Sequence, residues 1–362
     1  MDAGRFDALT KALGHRLLRR RLLGNIMGGT LSLLGLRDAE IATARKTLAK
    51  CKKVKDKKRQ KKCIRQVKDR RRHDTDQPRP GSTDSTTLPQ CPGGDCSNVL
   101  LAAGDIASCA SSGDEATAAL LDQLGGAIAA LGDNVYDSGT PQEFTTCYTP
   151  SWGRHKSRTR PAVGNHEYGT AGAAGYFGYF GGAAGDPSKG YYSYDLGSWH
   201  IVVINSNCTQ VAGGCGSGSP QEQWLRADLA AHPATCTLAY WHHPRFSSSS
   251  GHGSTPEMTP IWQALYEHGA DVVLSGHDHT YERFSPQDSA GNLDRDRGIR
   301  QFVVGTGGRS HYGFGTVLPQ SEVRNGDTFG VLRLTLHPSG YDWQFIPEPG
   351  KTFTDTGSGT CH

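Results

Sequence analysis

Short apolar runs alternate with segments of helical periodicity from residue 91 to the end of the chain. The apolar runs predict buried strands at residues 99–103, 127–131, 160–163, 237–241, 270–274 and 301–304. Helical spacing predicts helices over residues 114–124, 220–231 and 261–268. A hairpin is expected over residues 191–205, and two last strands over residues 329–336 and 341–346. This alternation, followed by a strand-rich end, predicts a mixed sheet or two packed sheets between helices.

Polar side chains directly follow five of these strands. They are Asp105, Asp133, Asn165, His242 and the pair His277 and His279. Ligands of open α/β sheets gather at the carboxyl edge of the strands, and residues two apart in extended backbone point the same way. Carboxylate, amide and imidazole groups without cysteine suit iron, manganese or zinc rather than a thiolate-bound structural zinc. Their number fits two ions that share a bridging carboxylate.

The N-terminal quarter of the chain differs in charge from the rest. Residues 1–90 contain 24 Lys and Arg against 9 Asp and Glu, whereas the later residues are acidic. Three arginines at residues 19–21 precede an apolar run to Leu36, and residues 42–44 then supply small side chains. This order predicts a twin-arginine signal peptide over residues 1–44. The alternative is a short amphipathic helix or a membrane anchor.

Residues 45–90 are predicted to form a basic arm followed by a linker, both largely disordered. Residues 45–72 hold 16 Lys and Arg against Asp56 and Asp69, and residues 73–90 are rich in Pro, Ser and Thr. The arm is either a solvated tether or a surface for anionic cell-surface polymer, phosphate-rich substrate or nucleic acid. Because no aromatic residue separates its charges, a base-stacking single-strand binder is disfavoured. Residues 91–362 are predicted to be the folded domain.

The chain has ten cysteines, an even number, and the close pairs lack C-x-x-C spacing. Disulfides in an oxidising compartment are therefore favoured over zinc sites. Two predicted bridges, Cys208–Cys215 and Cys91–Cys96, join cysteines that are close in sequence. The third, Cys109–Cys147, joins cysteines that follow the first and second predicted strands. The pattern does not pair the other four, which are Cys51, Cys63, Cys236 and Cys361.

Three ordered motifs each follow a predicted strand. They are G-D-x-x-Y at residues 132–136, G-N-H-E at residues 164–167 and G-H-x-H-x-Y-E-R at residues 276–283. With them the chain resembles the calcineurin-like metallophosphoesterases, and most of all their purple acid phosphatase branch, over residues 97–350. The resemblance implies an α/β (α+β) fold of two packed mixed sheets flanked by helices. In this four-layer αββα sandwich the metal site lies at the strand carboxyl ends.

The resemblance also implies how the ligands divide between two ions. Asp133 would bridge the two ions. The other ligands of the first ion would be Asp105, Tyr136 and His279, and those of the second ion would be Asn165, His242 and His277. The chain departs from the commoner D-x-H pattern, because Ala107 stands where that histidine would be. Tyr136 then supplies a tyrosinate, which favours Fe(III), unless it is an ordinary buried tyrosine. The H-x-P pattern selects His242 over the adjacent His243.

Four residues are expected to act on substrate or to support those that do. His166 is the candidate acid for the leaving group, or else a hydrogen-bond donor to phosphate. Glu167 is expected to orient His166 or a metal ligand. His252, in a Ser- and Gly-rich loop over residues 247–254, would reach substrate unless it is a plain surface residue. Arg309 follows a glycine-rich turn that resembles a substrate-side loop of the family.

These features together predict an exported enzyme that hydrolyses phosphate monoesters by a metal-bound hydroxide. Its cofactors would be Fe(III) and a divalent ion (zinc, manganese or iron). Its substrates would be small phosphorylated molecules. The sequence indicates no organic cofactor and no specific nucleic-acid motif. One alternative is a phosphodiesterase or nucleotidase that uses the same site. A second is a non-catalytic surface protein that binds polyanions through residues 45–72, and a third is a metal-dependent oxidoreductase.

Overall fold

A computed structural model of the protein describes residue 91 and residues 95–362. The predicted signal peptide, basic arm and linker lie outside the described residues, as do Cys51 and Cys63. The α-helices are α1 (Gly113–Leu121), α2 (Pro141–Glu143), α3 (Ala174–Phe180), α4 (Pro220–Ala231) and α5 (Thr259–Glu267). Helix α2 continues into a π-helical turn, and single-turn or short 3₁₀ helices occur at Trp152–Arg158, Glu167–Gly169, Ala171–Ala173, Gly181–Ala184 and Pro256–Met258.

The described strands form two large mixed sheets and one short ribbon. In chain order they are β1 (Val99–Ala103), β2 (Ala107–Ser108), β3 (Ala127–Leu131), β4 (Val135–Tyr136), β5 (Thr159–Ala162), β6 (Tyr192–Leu196), β7 (Trp199–Val203), β8 (Cys236–Tyr240), β9 (Val272–Ser275), β10 (Tyr281–Phe284), β11 (Arg300–Val304), β12 (Ser321–Asn325), β13 (Gly330–His337), β14 (Gly340–Pro347) and β15 (Thr356–Thr360). One sheet has the order β15-β14-β13-β1-β3-β5, and the other β12-β10-β11-β9-β8-β7-β6. The strands β1, β3 and β5 are parallel, as are β7, β8, β9 and β11, while β2 pairs with β4.

The central strands β7, β8 and β9 of the seven-stranded sheet are buried on both faces, and this sets the order of the layers. On β8, Leu238 and Tyr240 belong to the core that is shared with the six-stranded sheet. The alternate residues Ala239 and Trp241 belong to a second core, formed with helices α4 and α5. Continuous burial of this kind is typical of parallel strands covered on both sides. Helix α1 packs on the six-stranded sheet, so the predicted four-layer fold is confirmed.

Most predicted elements lie within two residues of the observed ones, but seven of the helices and strands were not predicted. These are α2, α3, β2, β4, β10, β12 and β15. The strands β12 and β15 are the outermost strands of their sheets and have the sequences Ser-Glu-Val-Arg-Asn and Thr-Gly-Ser-Gly-Thr. An edge strand needs few apolar side chains, because only part of its surface is covered. Hydrophobic patterning therefore gave no signal there.

All eight cysteines that the structure describes are in disulfides. The three predicted pairs are brought together, and Cys236 is bonded to Cys361 as a fourth pair. This last bridge ties β8 to the residue that follows β15, across 125 residues of sequence. Within the described residues, no helix combines the length and the apolar character needed to cross a bilayer.

Candidate metal centre

The predicted metal ligands come from tight turns at the carboxyl ends of neighbouring strands. Asp105, Asp133 and His277 follow β1, β3 and β9, and each has a positive φ (59°, 47° and 68°) directly after a glycine. One of these glycines, Gly132, has a φ of 85°, and a Cβ atom there would lie 2.6 Å from Nδ1 of His242. Only glycine accepts both the conformation and the close approach. The G-D motif therefore has a structural cause: it lets two ligand turns meet.

One group of donor atoms surrounds the Tyr136 hydroxyl. Its Oη atom lies 2.9 Å from Oδ1 of Asp105, 3.1 Å from Oδ2 of Asp133 and 3.2 Å from Nε2 of His279. A phenol has a single proton, so it satisfies at most one of these two carboxylates. Burial, together with the charges of Asp105 and Asp133, raises the pKa of Tyr136 well above its usual value. A cation held among these four atoms would offset that cost, so the donor set fits a metal ion.

A second group of donor atoms surrounds Nε2 of His242. This atom lies 3.2 Å from Oδ2 of Asp133, 3.1 Å from Oδ1 of Asn165 and 3.2 Å from Nδ1 of His277. Nδ1 of His242 donates to the Leu131 carbonyl at 2.9 Å, so neutral His242 directs a lone pair from Nε2 at two oxygen acceptors. Although burial disfavours the imidazolium, Asp133 and Asp105 raise the pKa of His242 to about 9. The cluster therefore needs a cation, either a proton or a metal ion.

The two groups share one atom, Oδ2 of Asp133, which contacts both Tyr136 and His242. Its other oxygen, Oδ1, accepts a 2.9 Å hydrogen bond from the backbone N–H of His166. The carboxylate is only 2% exposed, so both oxygens are committed within the cluster. Asp133 thus lies where a ligand bridging two ions would have to be.

The extended backbone expected between His277 and His279 is wrong. His277 is in a left-handed turn, and the two imidazoles go to different groups of donors. Nδ1 of His277 faces His242, whereas Nε2 of His279 faces Tyr136. The two histidines still reach one centre, but the turn separates them so that each contributes to a different half.

Glu167 holds the backbone of the turns that carry predicted metal ligands. Its fully buried carboxylate accepts backbone N–H bonds from four residues: Asp133 (3.0 Å), Asn134 (2.7 Å), Val135 (3.3 Å) and Gly164 (2.7 Å). Burial, reinforced by the charge of Asp133, raises the pKa of Glu167 to about 7. Of the two expected roles, these contacts favour the orientation of a metal ligand, through the Asp133 backbone, over the orientation of His166.

His166 lies at the mouth of the centre with one ring nitrogen facing inward. Its Nδ1 is 2.6 Å from the Asp137 carbonyl oxygen, which can only accept, so Nδ1 carries a proton. Its Nε2 is 3.9 Å from Oδ2 of Asp133, and its ring packs on Tyr136 at 4.3 Å between centroids. The side chain is 34% exposed. His166 therefore directs Nε2 towards Asp133 while part of its ring remains exposed.

Arg309 and His252 each pack against a different predicted metal ligand. The Arg309 guanidinium is 4.9 Å from the Tyr136 ring centroid and forms a 3.2 Å ion pair with Asp137. The His252 ring stacks on His277, with centroids 4.1 Å apart and an angle of 27° between planes. The exposed His252 side chain therefore packs against a predicted metal ligand.

His243 also lies close to the centre, with one of its ring nitrogens within 4.8 Å of ring nitrogens of His242 and His277. Its Nδ1 lies 2.8 Å from the Ser206 hydroxyl, and its ring is 4.3 Å from that of His277. Burial, followed by the charge of His242, lowers the pKa of His243 to about 3. His243 is therefore a neutral residue that packs beside the ligands. Its hydrogen bond to Ser206 was not foreseen.

Two further residues of the site were not predicted from the sequence. The Ser310 hydroxyl lies 2.7 Å from Nδ1 of His279, so it holds the orientation of that ring. Tyr312 stacks almost parallel on His279, with centroids 4.1 Å apart and an angle of 8°. Both follow the glycine-rich turn that ends at Arg309. That turn was the only available signal, and it does not say which of the next residues face inward.

Curated proteins similar to this chain are plant phosphatases. Purple acid phosphatase 15 of Arabidopsis thaliana is 31% identical over 131 residues, which are 34% of this chain and 23% of that protein. Purple acid phosphatase 21 of the same plant is 36% identical over 101 residues, which are 26% of this chain and 22% of that protein. The chain thus spans about a quarter of the length of these curated relatives.

Solved structures share the fold at low sequence identity. The purple acid phosphatase PPD1 from yellow lupin (Lupinus luteus) seeds matches with a TM-score of 0.57 and 17% identity, over 72% of this chain and 53% of that one. The Plasmodium protein GAP50, described as the anchor in the inner membrane complex, matches with a TM-score of 0.55 and 14% identity. That match covers 73% of this chain and 89% of GAP50. At these identities, both matches show similarity of fold alone.

The sequence pattern that defines the calcineurin-like phosphoesterases provides the last comparison. It matches residues 99–281, which is about half of the chain. The matched region runs from β1 to the start of β10 and includes every predicted metal ligand. The chain therefore belongs to the calcineurin-like phosphoesterase family.

Proposed function

We propose that this protein is an exported dinuclear-metal phosphoesterase that hydrolyses phosphate monoesters. The observation that carries the proposal is the position of Asp133 Oδ2 between two sets of donors, one around Tyr136 and one around His242. The fold alone would not support the proposal, because the structural neighbour GAP50 is described as an anchor. A buried cluster of oxygen and nitrogen acceptors that needs cations is what supports catalysis here.

The two donor groups differ in chemistry, and this supports two different ions. The group of Asp105, Tyr136 and His279 contains a phenol oxygen, which suits Fe(III). The group of Asn165, His242 and His277 contains an amide and two imidazoles, which suit a divalent zinc, manganese or iron ion. When bound, such a pair lowers the pKa of a water molecule and offsets charge on phosphoryl oxygens.

His166 is the residue that we assign to protonate the leaving oxygen. Its Nδ1 proton is held by the Asp137 carbonyl, so the exchangeable proton is on Nε2, which faces the centre. An imidazole whose second nitrogen is fixed in this way has one donor direction and needs no reorientation during transfer. His252 and Arg309 pack against predicted metal ligands and would contact the phosphoryl oxygens.

The charge at the mouth favours monoesters over diesters. A phosphate monoester is a dianion near neutral pH, and three non-bridging oxygens need donors. Arg309, His166 and His252 supply donors beside the two groups of predicted metal ligands. A diester carries one negative charge and a second organic group, for which these three residues offer no complementary feature.

Hydrolysis of p-nitrophenyl phosphate and bis-p-nitrophenyl phosphate by metal-loaded protein tests this function. We expect chelator-sensitive turnover, with a higher kcat/KM for the monoester and a loss of about 10²-fold or more in His166→Ala. His155→Ala serves as control, because His155 lies outside the site and bonds to Arg158. A preference for the diester would replace the assignment with a phosphodiesterase. Absence of turnover on both substrates would reject it.

Export is part of the proposal and rests on two observations. The first 44 residues have the order of a twin-arginine signal, and every described cysteine is in a disulfide. The division into signal peptide, basic arm with linker, and catalytic domain from residue 91 is proposed on the same grounds. Cell fractionation with and without Arg19→Lys and Arg20→Lys tests it. Unchanged export of the double variant would reject the twin-arginine route.

A further inference from the structure

Asp278 lies between the ligands His277 and His279 in the sequence, yet its carboxylate binds another part of the chain. Oδ2 accepts hydrogen bonds from the Ser247 hydroxyl at 2.5 Å and from the Gly253 N–H at 3.1 Å. Oδ1 accepts a bond from the N–H of His252 at 2.9 Å. The Asp278 side chain is fully buried. One carboxylate therefore ties both ends of residues 247–254, the His252 loop, to the turn that carries the metal ligands.

A second buried carboxylate holds the start of the same loop. Glu282 accepts a 2.8 Å bond from the N–H of Ser248 and a bond from the Ser321 hydroxyl. Ser248 is further bonded through its carbonyl to Gly315 and through its hydroxyl to Leu318. Ser248 therefore has several anchors, whereas the side-chain contacts that hold the N–H groups of His252 and Gly253 both come from Asp278.

The loop places the His252 ring directly on a metal ligand. The ring stacks on His277 at 4.1 Å and approaches Tyr312 edge-on at 5.6 Å. The position of His252 and the position of His277 therefore depend on the same turn, because Asp278 is the residue next to His277. We infer that Asp278 is a positioning residue that sets His252 above His277. This inference rests on the proposed function, in which His252 contacts the phosphoryl group.

A carboxylate suits this role and its amide does not. All three partners of Asp278 are donors: one hydroxyl and two backbone N–H groups. In Asp278→Asn one of the two oxygens becomes an NH₂ group, which would face at least one of these donors. A buried donor left without an acceptor destabilises the folded conformation of the loop. The loop would therefore leave its position although the volume at residue 278 is unchanged.

A kinetic comparison of two backgrounds separates positioning from general stability. In the metal-loaded full chain, Asp278→Asn is expected to lower kcat by about tenfold or more. In a His252→Ala background the same substitution is expected to have almost no further effect, because the residue being positioned is gone. An equal fold-loss in both backgrounds would overturn the inference. Ser247→Ala, which removes one of the three bonds, should show the same pattern with a smaller loss.

Asp271→Asn is the matched control. Asp271 is also buried, and it accepts backbone N–H bonds from Thr237 at 2.8 Å and from His362 at 3.1 Å, outside the His252 loop and the two donor groups. If it destabilises the protein as much as Asp278→Asn does while kcat is retained, loss of stability does not account for the kinetic effect. A loss of kcat in both variants to the same degree would contradict positioning.

Amide hydrogen exchange tests the anchor without any substrate. In Asp278→Asn the N–H groups of His252 and Gly253 should exchange faster, whereas that of Ser248, which Glu282 holds, should keep its protection. Metal content should be unchanged. Unaltered exchange at residues 252 and 253 would reject the inference. Faster exchange in a protein whose parent hydrolyses neither ester would reject the proposed function while retaining the anchor.

Discussion

Nε2 of His242 lies 3.2 Å from Oδ2 of Asp133, in a cluster where both side chains are almost fully buried. Because Asp133 also contacts Tyr136, we expect substitution of Asp133 and substitution of His242 to have different consequences. Asp133→Ala is expected to remove both ions and turnover, and His242→Ala mainly the ion of the second group. Elemental analysis of the purified variants, with kcat on p-nitrophenyl phosphate, measures both effects.

His243→Ala is the control for this pair, since His243 neighbours His242 but bonds to Ser206. It should retain both ions. Full activity and metal content in Asp133→Ala would contradict the centre as described.

Tyr136→Phe removes one oxygen and keeps the ring that packs on His166 and faces Arg309. We expect the first group to lose metal affinity by at least about tenfold, with the second group still occupied. Tyr312→Phe is the matched control, because that ring stacks on His279 and its hydroxyl is not needed for the stacking. Equal metal content in the two variants would show that Tyr136 is an ordinary buried tyrosine.

The clustering of the predicted ligands could be expected from the sequence because each of them lies at or near the end of a strand. An apolar run, then glycine, then a polar residue identifies a strand and the turn that follows it, and the positive φ values of Asp105 and Asp133 show why the glycines precede them. In the structure, β1 and β3 are parallel in one sheet and β8 and β9 are parallel in the other, so the turns lie at the carboxyl ends of strands in both sheets. The proposed division of the ligands between two ions came from the family resemblance.

The supporting contacts of Asp278 and Ser310 were not open to prediction because their partners are distant in sequence. Asp278 binds residues about 30 positions earlier, and Ser310 lies 31 residues after His279, which it orients. Nothing in the spacing of such residues shows that they meet. Gly276 indicated a turn, but it did not reveal that His277 itself has a left-handed conformation. Contacts of this kind are set by the packed fold and not by the local pattern.

A buried histidine away from the site predicts how stability changes with pH. His200 is 2% exposed, with Nδ1 3.0 Å from Asp195 and Nε2 2.8 Å from Asp228. Although burial disfavours the imidazolium, these two carboxylates raise the pKa of His200 above its usual 6.5. The folded state therefore holds a proton that the unfolded state has released, so this contribution falls as the pH rises above 6.5 through the folded pKa.

Urea unfolding from about pH 6 to about pH 9 measures this contribution. His200→Gln is expected to cost about 3 kcal/mol at the acid end, because Asp228 is left buried without its cation, and to reduce the slope with pH. His268→Gln is the control, since His268 follows α5 on the exposed surface. Identical slopes for the parent and His200→Gln would show that His200 is not the titrating group.

The disulfides provide a stability prediction that depends on loop length. Cys236–Cys361 closes a separation of 125 residues and Cys208–Cys215 one of 7. In the chain-entropy account, these closures destabilise the unfolded state by about 5 and about 2 kcal/mol. Replacing both cysteines of a pair by alanine should therefore lower the free energy of unfolding more for the first pair, although each substitution removes the same atoms. Equal losses in urea unfolding would mean that local packing around each bridge, and not closure of the long loop, determines its effect.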